Sequence, residues 1–240
     1  MRIIFNLLII SSFIKGQSIN SQNNSPLHVL STIKPSNEVS LIKTFNPDWV
    51  QSLKLKLPCD SIPVPKRAMR LPNAPRDYRN GIHRGIDFFA NWGTPVKSVA
   101  DGIVIRADLE FEEVPAGFRE QLLETSSKVG HTPSDIFNSV LLGQAIFIDH
   151  GFNLVPGFRS ITIYAHLSSI EDTIKPGVKI LSGQVIGRSG NTGMRESTLG
   201  TKSGSHLHWE MILMKDHEEI YLGKDLKNPD LYNMLNLIFE

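Results

Sequence analysis

Four histidines and one aspartate stand out, because their types and spacing suit a metal-assisted reaction. His83 and Asp87 lie four apart in His-Arg-Gly-Ile-Asp, His166 follows Tyr164-Ala165, and His206-Leu207-His208 places two imidazoles two apart. Side chains at i and i+2 of a strand project from the same face, so His206 and His208 share a face and Glu210 continues the row. Zinc favours imidazole and carboxylate ligands in a tetrahedron, and a catalytic site takes three from the protein and leaves the fourth position to water. One Asp and two His meet that need. The ion would lower the water's pKa and polarise a scissile carbonyl. Further histidines would orient the water, move protons or stabilise an oxyanion. Spacing alone does not say which histidines hold the metal. His-x-His and His-x-x-x-Asp are each weak signals in isolation; their joint occurrence on neighbouring β elements points to a metal site. The chain lacks the His-Glu-x-x-His helix signature, so that metalloprotease class is not indicated.

The elements that must position these residues read as short strands. Ile86–Ala90, Pro95–Ala100, Ile103–Ile105, Ala145–Asp149, Ile161–Leu167, Gln184–Gly187 and His206–Ile212 are apolar or alternating, and Gly-rich turns separate them. Asp101-Gly102 predicts a hairpin between its flanking runs. Together these argue for a mainly β, antiparallel core. Between about 109 and 143 the period changes: Phe118–Glu124 and Ser134–Leu142 have helical spacing, which predicts a helical insertion between two strands. Trp209 alternates away from the histidines and is assigned to the core. His150, in Asp-His-Gly, reads as a structural turn residue, and His28, His131 and His217 as surface residues. Asn191-Thr192-Gly193 reads as a tight turn whose backbone could line a groove. For Glu210, support of a ligand and a solvated strand position are equally good readings.

The bulk properties bound the function class. A net charge of +1 and a pI near 7.9 exclude the strongly basic footprint of a nucleic-acid binder and give no electrostatic case for an anionic membrane surface. The single cysteine, Cys59, permits no internal disulfide and reads as an incidental or buried thiol. Arg2 followed by the mostly apolar run Ile3–Ile14 matches a secretory leader and is shorter than the roughly 20 residues that span a bilayer. The expected organisation is a signal peptide or anchor over 1–16, a linker or extended arm over 17–58, and one domain over 59–240 with its core at 81–214. The expected location is outside the cytoplasm: periplasm, cell envelope or extracellular. The proline-rich stretch from Leu53 to Pro75 reads as extended over a domain surface.

The segments His83–Asp87, Tyr164–Leu167 and His206–Glu210, in this order, closely resemble the lysostaphin-like (LytM-type) zinc endopeptidases. The likeness extends to GTPVKSVADGIV, FIDHG, IKPGVKILSGQVIGRSGNTG and SHLHWE, and covers about Gly81 to Ile212 less the insertion. The resemblance implies a mainly antiparallel β peptidase domain with a groove, holding one Zn2+. It implies that His83, Asp87 and His208 are the metal ligands and that His166 and His206 are the catalytic pair. It also implies that the substrates are peptide stems or cross-links of peptidoglycan. A protein-directed protease, or a wall-binding or regulatory module of the same fold without catalysis, are the alternatives. Three departures bear on substrate access: Ser205 stands where the family has proline, the loop Met194–Gly204 is long, and the 109–143 insertion replaces a brief hairpin.

Overall fold

The computed structural model of the protein describes residues 44–239. The expected leader at 1–16 and the arm up to residue 43 lie outside the described residues. Twelve strands follow one another among those described. They are β1 (Pro75–Arg76), β2 (Gly81–Ile82), β3 (Ile86–Phe88), β4 (Pro95–Lys97), β5 (Gly102–Ala107) and β6 (Ile146–Asp149), then β7 (Arg159–Ala165), β8 (Leu167–Ile170), β9 (Lys179–Ile180), β10 (Val185–Ser189), β11 (Leu207–Lys215) and β12 (Glu218–Tyr221).

The main sheet runs β12-β11-β7-β6-β5-β9, with β3 added alongside the first part of β11. A second sheet runs β4-β10-β8, and β1 pairs with β2. Every one of these pairings is antiparallel, as the short alternating runs predict.

Both faces of the main sheet are covered, which explains why β6 and β7 are buried along nearly their whole length, Ser160 and Thr162 included. On one face Ile86, Phe88, Ile146, Ile148, Tyr164 and Trp209 join the principal core. On the other, Leu142, Phe147, Ile161, Ile163, Ala165 and Ile212 form a separate cluster with Phe137 packed on it. The insertion supplies that second cover. Its helix spans Ala116–Val129, and a turn at Ser134–Ile136 widens into a π turn over Phe137–Leu141.

The hairpin expected across Asp101-Gly102 does not form. β4 pairs with β10, whereas β5 pairs with β6 and β9. Asp101 is engaged by other segments instead: its side chain accepts from the Ser182 N–H and its carbonyl from His150 Nδ1, while the Val99 N–H donates to the Tyr164 hydroxyl. The chain therefore crosses between sheets where local turn chemistry alone would fold it back.

Residues 44–58, read from sequence as the end of an arm, lie against the core. Phe45, Val50, Leu53 and Leu55 are buried, Trp49 stacks edge-on with Phe45, and the Leu55 N–H donates to the Ile238 carbonyl of the C-terminal helix Asp230–Ile238. Pro58–Pro75 follows the same course, with Cys59, Val64 and Leu71 buried beneath an irregular backbone. Burial pushes the Cys59 thiol up to about 12, with Asp60 adding to the effect, so it stays protonated and inert. Because Leu55 is 1% exposed, Leu55→Ala should cost about 2–5 kcal/mol. Urea unfolding followed by Trp fluorescence checks this, and an arm detached from the core would show no change.

Candidate active site

Strand register assembles the centre of the site. On β11, His208 is the direct partner of Asp87 on β3 and, on the other side, of Ala165 on β7. His83 sits between β2 and β3 and swings back to the same point. Gly85 makes this possible: a β-carbon there would meet the Trp209 carbonyl, Glu210 Cγ at 2.8 Å and His208 Cε1 at 2.9 Å, so only glycine permits the approach.

His83 Nε2 lies 2.9 Å from Asp87 Oδ1 and 3.0 Å from His208 Nδ1, and His208 Nδ1 is also 2.9 Å from Asp87 Oδ1. The outer nitrogens settle the proton positions. His83 Nδ1 faces the Leu71 carbonyl at 2.9 Å, which only accepts, so Nδ1 carries the hydrogen and Nε2 is bare. His208 Nε2 faces Glu210 Oε1 at 2.8 Å. The Arg84 guanidinium and His208 outweigh the effect of burial and hold that carboxyl down at about 2, so it is ionised and His208 Nε2 must donate. In neutral imidazoles the inner atoms are then three acceptors, crowded with no hydrogen among them. Such a cluster demands a cation. In the metal-free chain a proton serves: despite burial, hydrogen bonds to Asp87 and Glu210 raise His208 to about 9. A tetrahedral zinc with N and O ligands at 2.0–2.1 Å holds ligand atoms about 3.3 Å apart, close to the observed spacings, so the three residues also fit a metal ion. They are a possible metal-binding group, with one atom from each within 4.8 Å of the others.

The surrounding charges fit this arrangement. Arg76 Nη2 lies 3.1 Å from Asp87 Oδ2, leaving Oδ1 to face the imidazoles. Burial raises the Asp87 pKa, but the neighbouring His83 and His206 charges and hydrogen bonds outweigh it and keep the carboxyl well below its ordinary range. Burial lowers His83. Glu210 is fully buried and its Oε2 lies 3.1 Å from Arg84 Nη2. It braces His208 from the far side of the ring and is not the solvated strand residue.

His166 and His206 stand beside the trio, ring centroids 4.9 Å apart. His166 Nδ1 donates to the Thr192 carbonyl and His206 Nδ1 to the Gly204 carbonyl, both at 2.8 Å, which leaves each Nε2 turned away from its backbone acceptor. His206 Nε2 is 3.5 Å from Asp87 Oδ1. Burial, then the His206 and His208 charges, hold His166 well below its ordinary pKa and keep it neutral. Neither residue lies within a strand as the sequence suggests. His166 breaks β7 from β8 at φ +59, a left-handed conformation that a non-glycine residue adopts at a cost. His206 forms an isolated bridge to Gly190 before β11 begins.

A cleft of about 450 Å³ opens over the five residues, with Arg76, Arg119, Leu123 and Phe137 among its walls. His150 lies elsewhere, bonded to the Asp101 carbonyl and Thr162 Oγ1, and is structural. The turn Asn191–Gly193, read from sequence as one whose backbone could line a groove, does so and receives His166 at the Thr192 carbonyl; sequence reasoning missed Arg76, Leu71 and the Gly204 carbonyl. Backbone acceptors leave no trace in residue type, and Arg76 lies eleven residues before Asp87 with no periodic link to it.

Residues 126–220 match Peptidase family M23. The matched stretch includes His166, His206 and His208 and begins inside the insertion helix, beyond His83 and Asp87. A Buchnera aphidicola protein named an uncharacterized metalloprotease is 29% identical over 159 residues, which is 66% of this chain and 30% of that protein. The peptidoglycan DD-endopeptidase ShyA of Vibrio cholerae is 30% identical over 131 residues, or 55% of this chain and 20% of that one. The chain thus spans under a third of the length of these curated relatives. The catalytic domain of lysostaphin from Staphylococcus simulans is 22% identical, covering 71% of this chain and 87% of that domain with a TM-score of 0.36. The motif resemblance to the lysostaphin-like, LytM-type group and the M23 match agree.

Glu210 also sets an acid limit on stability. Its folded pKa of about 2 lies below the ordinary 4.5, so its contribution is complete above about pH 4.5 and disappears as the pH falls toward 2. Thermal melts of metal-free protein across that range should show the loss, with a shallower acid slope in Glu210→Gln.

Proposed function

We propose that the protein is a zinc metalloendopeptidase that hydrolyses peptide bonds in bacterial peptidoglycan. The observation that carries the reading is the convergence of three inward acceptor atoms, from His83, Asp87 and His208, beneath a cleft that two further imidazoles enter. The M23 match and the peptidoglycan endopeptidase relative support the same direction. In this reading His83, Asp87 and His208 hold the ion, and His166 and His206 are the catalytic residues. When bound, zinc would acidify a water and polarise the scissile carbonyl.

The chain's own residues do the rest. His166, kept neutral by burial and already donating through Nδ1, accepts the attacking water's proton at Nε2. His206 faces the cleft with its own Nε2 and, when protonated, donates to the developing oxyanion. Glu210 fixes the His208 tautomer by accepting from Nε2, and Arg76 restrains the Asp87 carboxylate by its outer oxygen, which keeps both groups aimed inward. The wall formed by Leu123 and Phe137 excludes water from one side of the cleft. Residues 1–16 act as the export leader or anchor, and residues 44–58 pack with the peptidase domain, so the enzyme works outside the cytoplasm.

Purified protein should carry zinc and release peptides from isolated peptidoglycan while leaving a panel of soluble proteins intact. Mapping the cleaved bonds by mass spectrometry identifies the linkage. Cleavage of the soluble panel alone would make it a protein-directed protease. His208→Ala should lose both the bound metal and the hydrolysis; hydrolysis that survives this change would sink the proposal. Glu210→Gln should weaken zinc affinity by about 10–100-fold, measured by competition with a chromogenic chelator.

A further inference from the structure

The insertion between β5 and β6 carries two charged side chains that meet at a single residue, Gly193, one at each of its flanking peptide groups. The Gly193 N–H donates to Glu113 Oε2 at 2.9 Å, and the Gly193 carbonyl accepts from Arg119 Nε at 3.0 Å. Arg119 is 8% exposed, and Glu113 Oε1 is enclosed without a hydrogen-bond partner. Neither residue has an ion-pair partner among the described residues. Enclosing ionised side chains costs several kcal/mol each unless their bonds compensate, and charge-assisted bonds to a backbone amide hold it more firmly than neutral ones. The two peptide groups that flank the Gly193 α-carbon are therefore each held from the insertion, the Thr192–Gly193 peptide by Glu113 and the Gly193–Met194 peptide by Arg119.

The first of these peptides, which Glu113 binds through its N–H, carries the acceptor of His166. The Thr192 carbonyl takes the His166 Nδ1 hydrogen, while Thr192 Oγ1 accepts from the Gln144 N–H and donates to the Leu167 carbonyl. Contact between insertion and turn is close. A β-carbon on Gly193 would meet Gly143 N at 2.5 Å and the Val140 carbonyl at 2.6 Å, and one on Gly143 would collide with the Thr192 carbonyl. His166 itself sits at a positive φ, so its own backbone does not favour the orientation its ring adopts.

We infer that Glu113 and Arg119 are positioning residues. The insertion clamps the Thr192–Gly193 turn, and the turn holds His166 in the Nδ1–H tautomer with Nε2 toward the cleft. What His166 then does rests on the peptidase reading; the clamp does not. The 109–143 segment is in this way part of the site's support as well as a cover for the sheet.

Two readouts on metal-loaded, full-length protein test the clamp. In nitrogen-15 histidine NMR the wild type should show His166 as a single Nδ1–H tautomer with a slowly exchanging proton. Arg119→Met should shift or broaden that signal, Arg119→Lys and Glu113→Gln should do so less, and Lys128→Met, on the exposed face of the same helix, should leave it alone. In kinetics, Arg119→Met should lower kcat about ten- to a hundredfold with KM within about twofold of wild type. The same change should cost nothing further in a His166→Ala background, the non-additivity expected of residues acting as one unit. A rise in KM alone would make Arg119 a substrate contact and overturn the clamp. An unchanged His166 signal with a lowered Tm, or additive losses, would also overturn it. If the wild type hydrolyses nothing, the peptidase reading fails while the NMR result still decides the clamp.

Discussion

Three acceptor atoms held within 3 Å of one another, with no hydrogen among them, are the constraint on which the site depends. Two imidazole nitrogens and a carboxylate oxygen repel unless a positive charge sits between them. The outer bonds of His83 and His208, to the Leu71 carbonyl and Glu210, prevent either ring from relieving the crowding by turning over. A proton on His208 satisfies the cluster in the absence of metal, and a divalent ion does so with open coordination left over. The three residues are thus a possible metal-binding group, and a donor set of two imidazoles and a carboxylate suits nitrogen-preferring metals.

Keeping such a cluster together requires a rigid frame. β11 supplies it by pairing at its start with β3 on one side and β7 on the other, so that His208 faces Asp87 by register. Beyond His83, Asp87 and His208, charges alternate outward: Arg76 against Asp87, and Arg84 against Glu210. Each buried carboxylate thereby meets a guanidinium, and neither must be protonated to remain inside.

The insertion connects this frame to His166. One part of it, from Phe137 to Leu142, closes the second face of the sheet. Another part walls the cleft and bonds to the turn that receives His166. A segment that looks additional to the fold therefore bears on access, on packing and on the orientation of one imidazole.

Much of this was legible from residue types. The His and Asp motifs, the short strands and the helical change of period between 109 and 143 are local patterns, and the antiparallel β architecture follows from them. The Asp101-Gly102 turn misled because its polar groups bond to Ser182 and His150, which are distant in sequence. The arm misled because a few apolar residues around Phe45 and Leu55 show no period, yet they find a place in the core. By itself the sequence determined the donor chemistry, the class of fold and the existence of an insertion, since these depend on residue identity and spacing along the chain. Only the tertiary structure decided which nitrogens point inward, that Arg76 and Glu210 brace Asp87 and His208, and that the insertion reaches the turn that receives His166. Those facts depend on backbone carbonyls and long-range contacts, and neither is written into the type of any single residue.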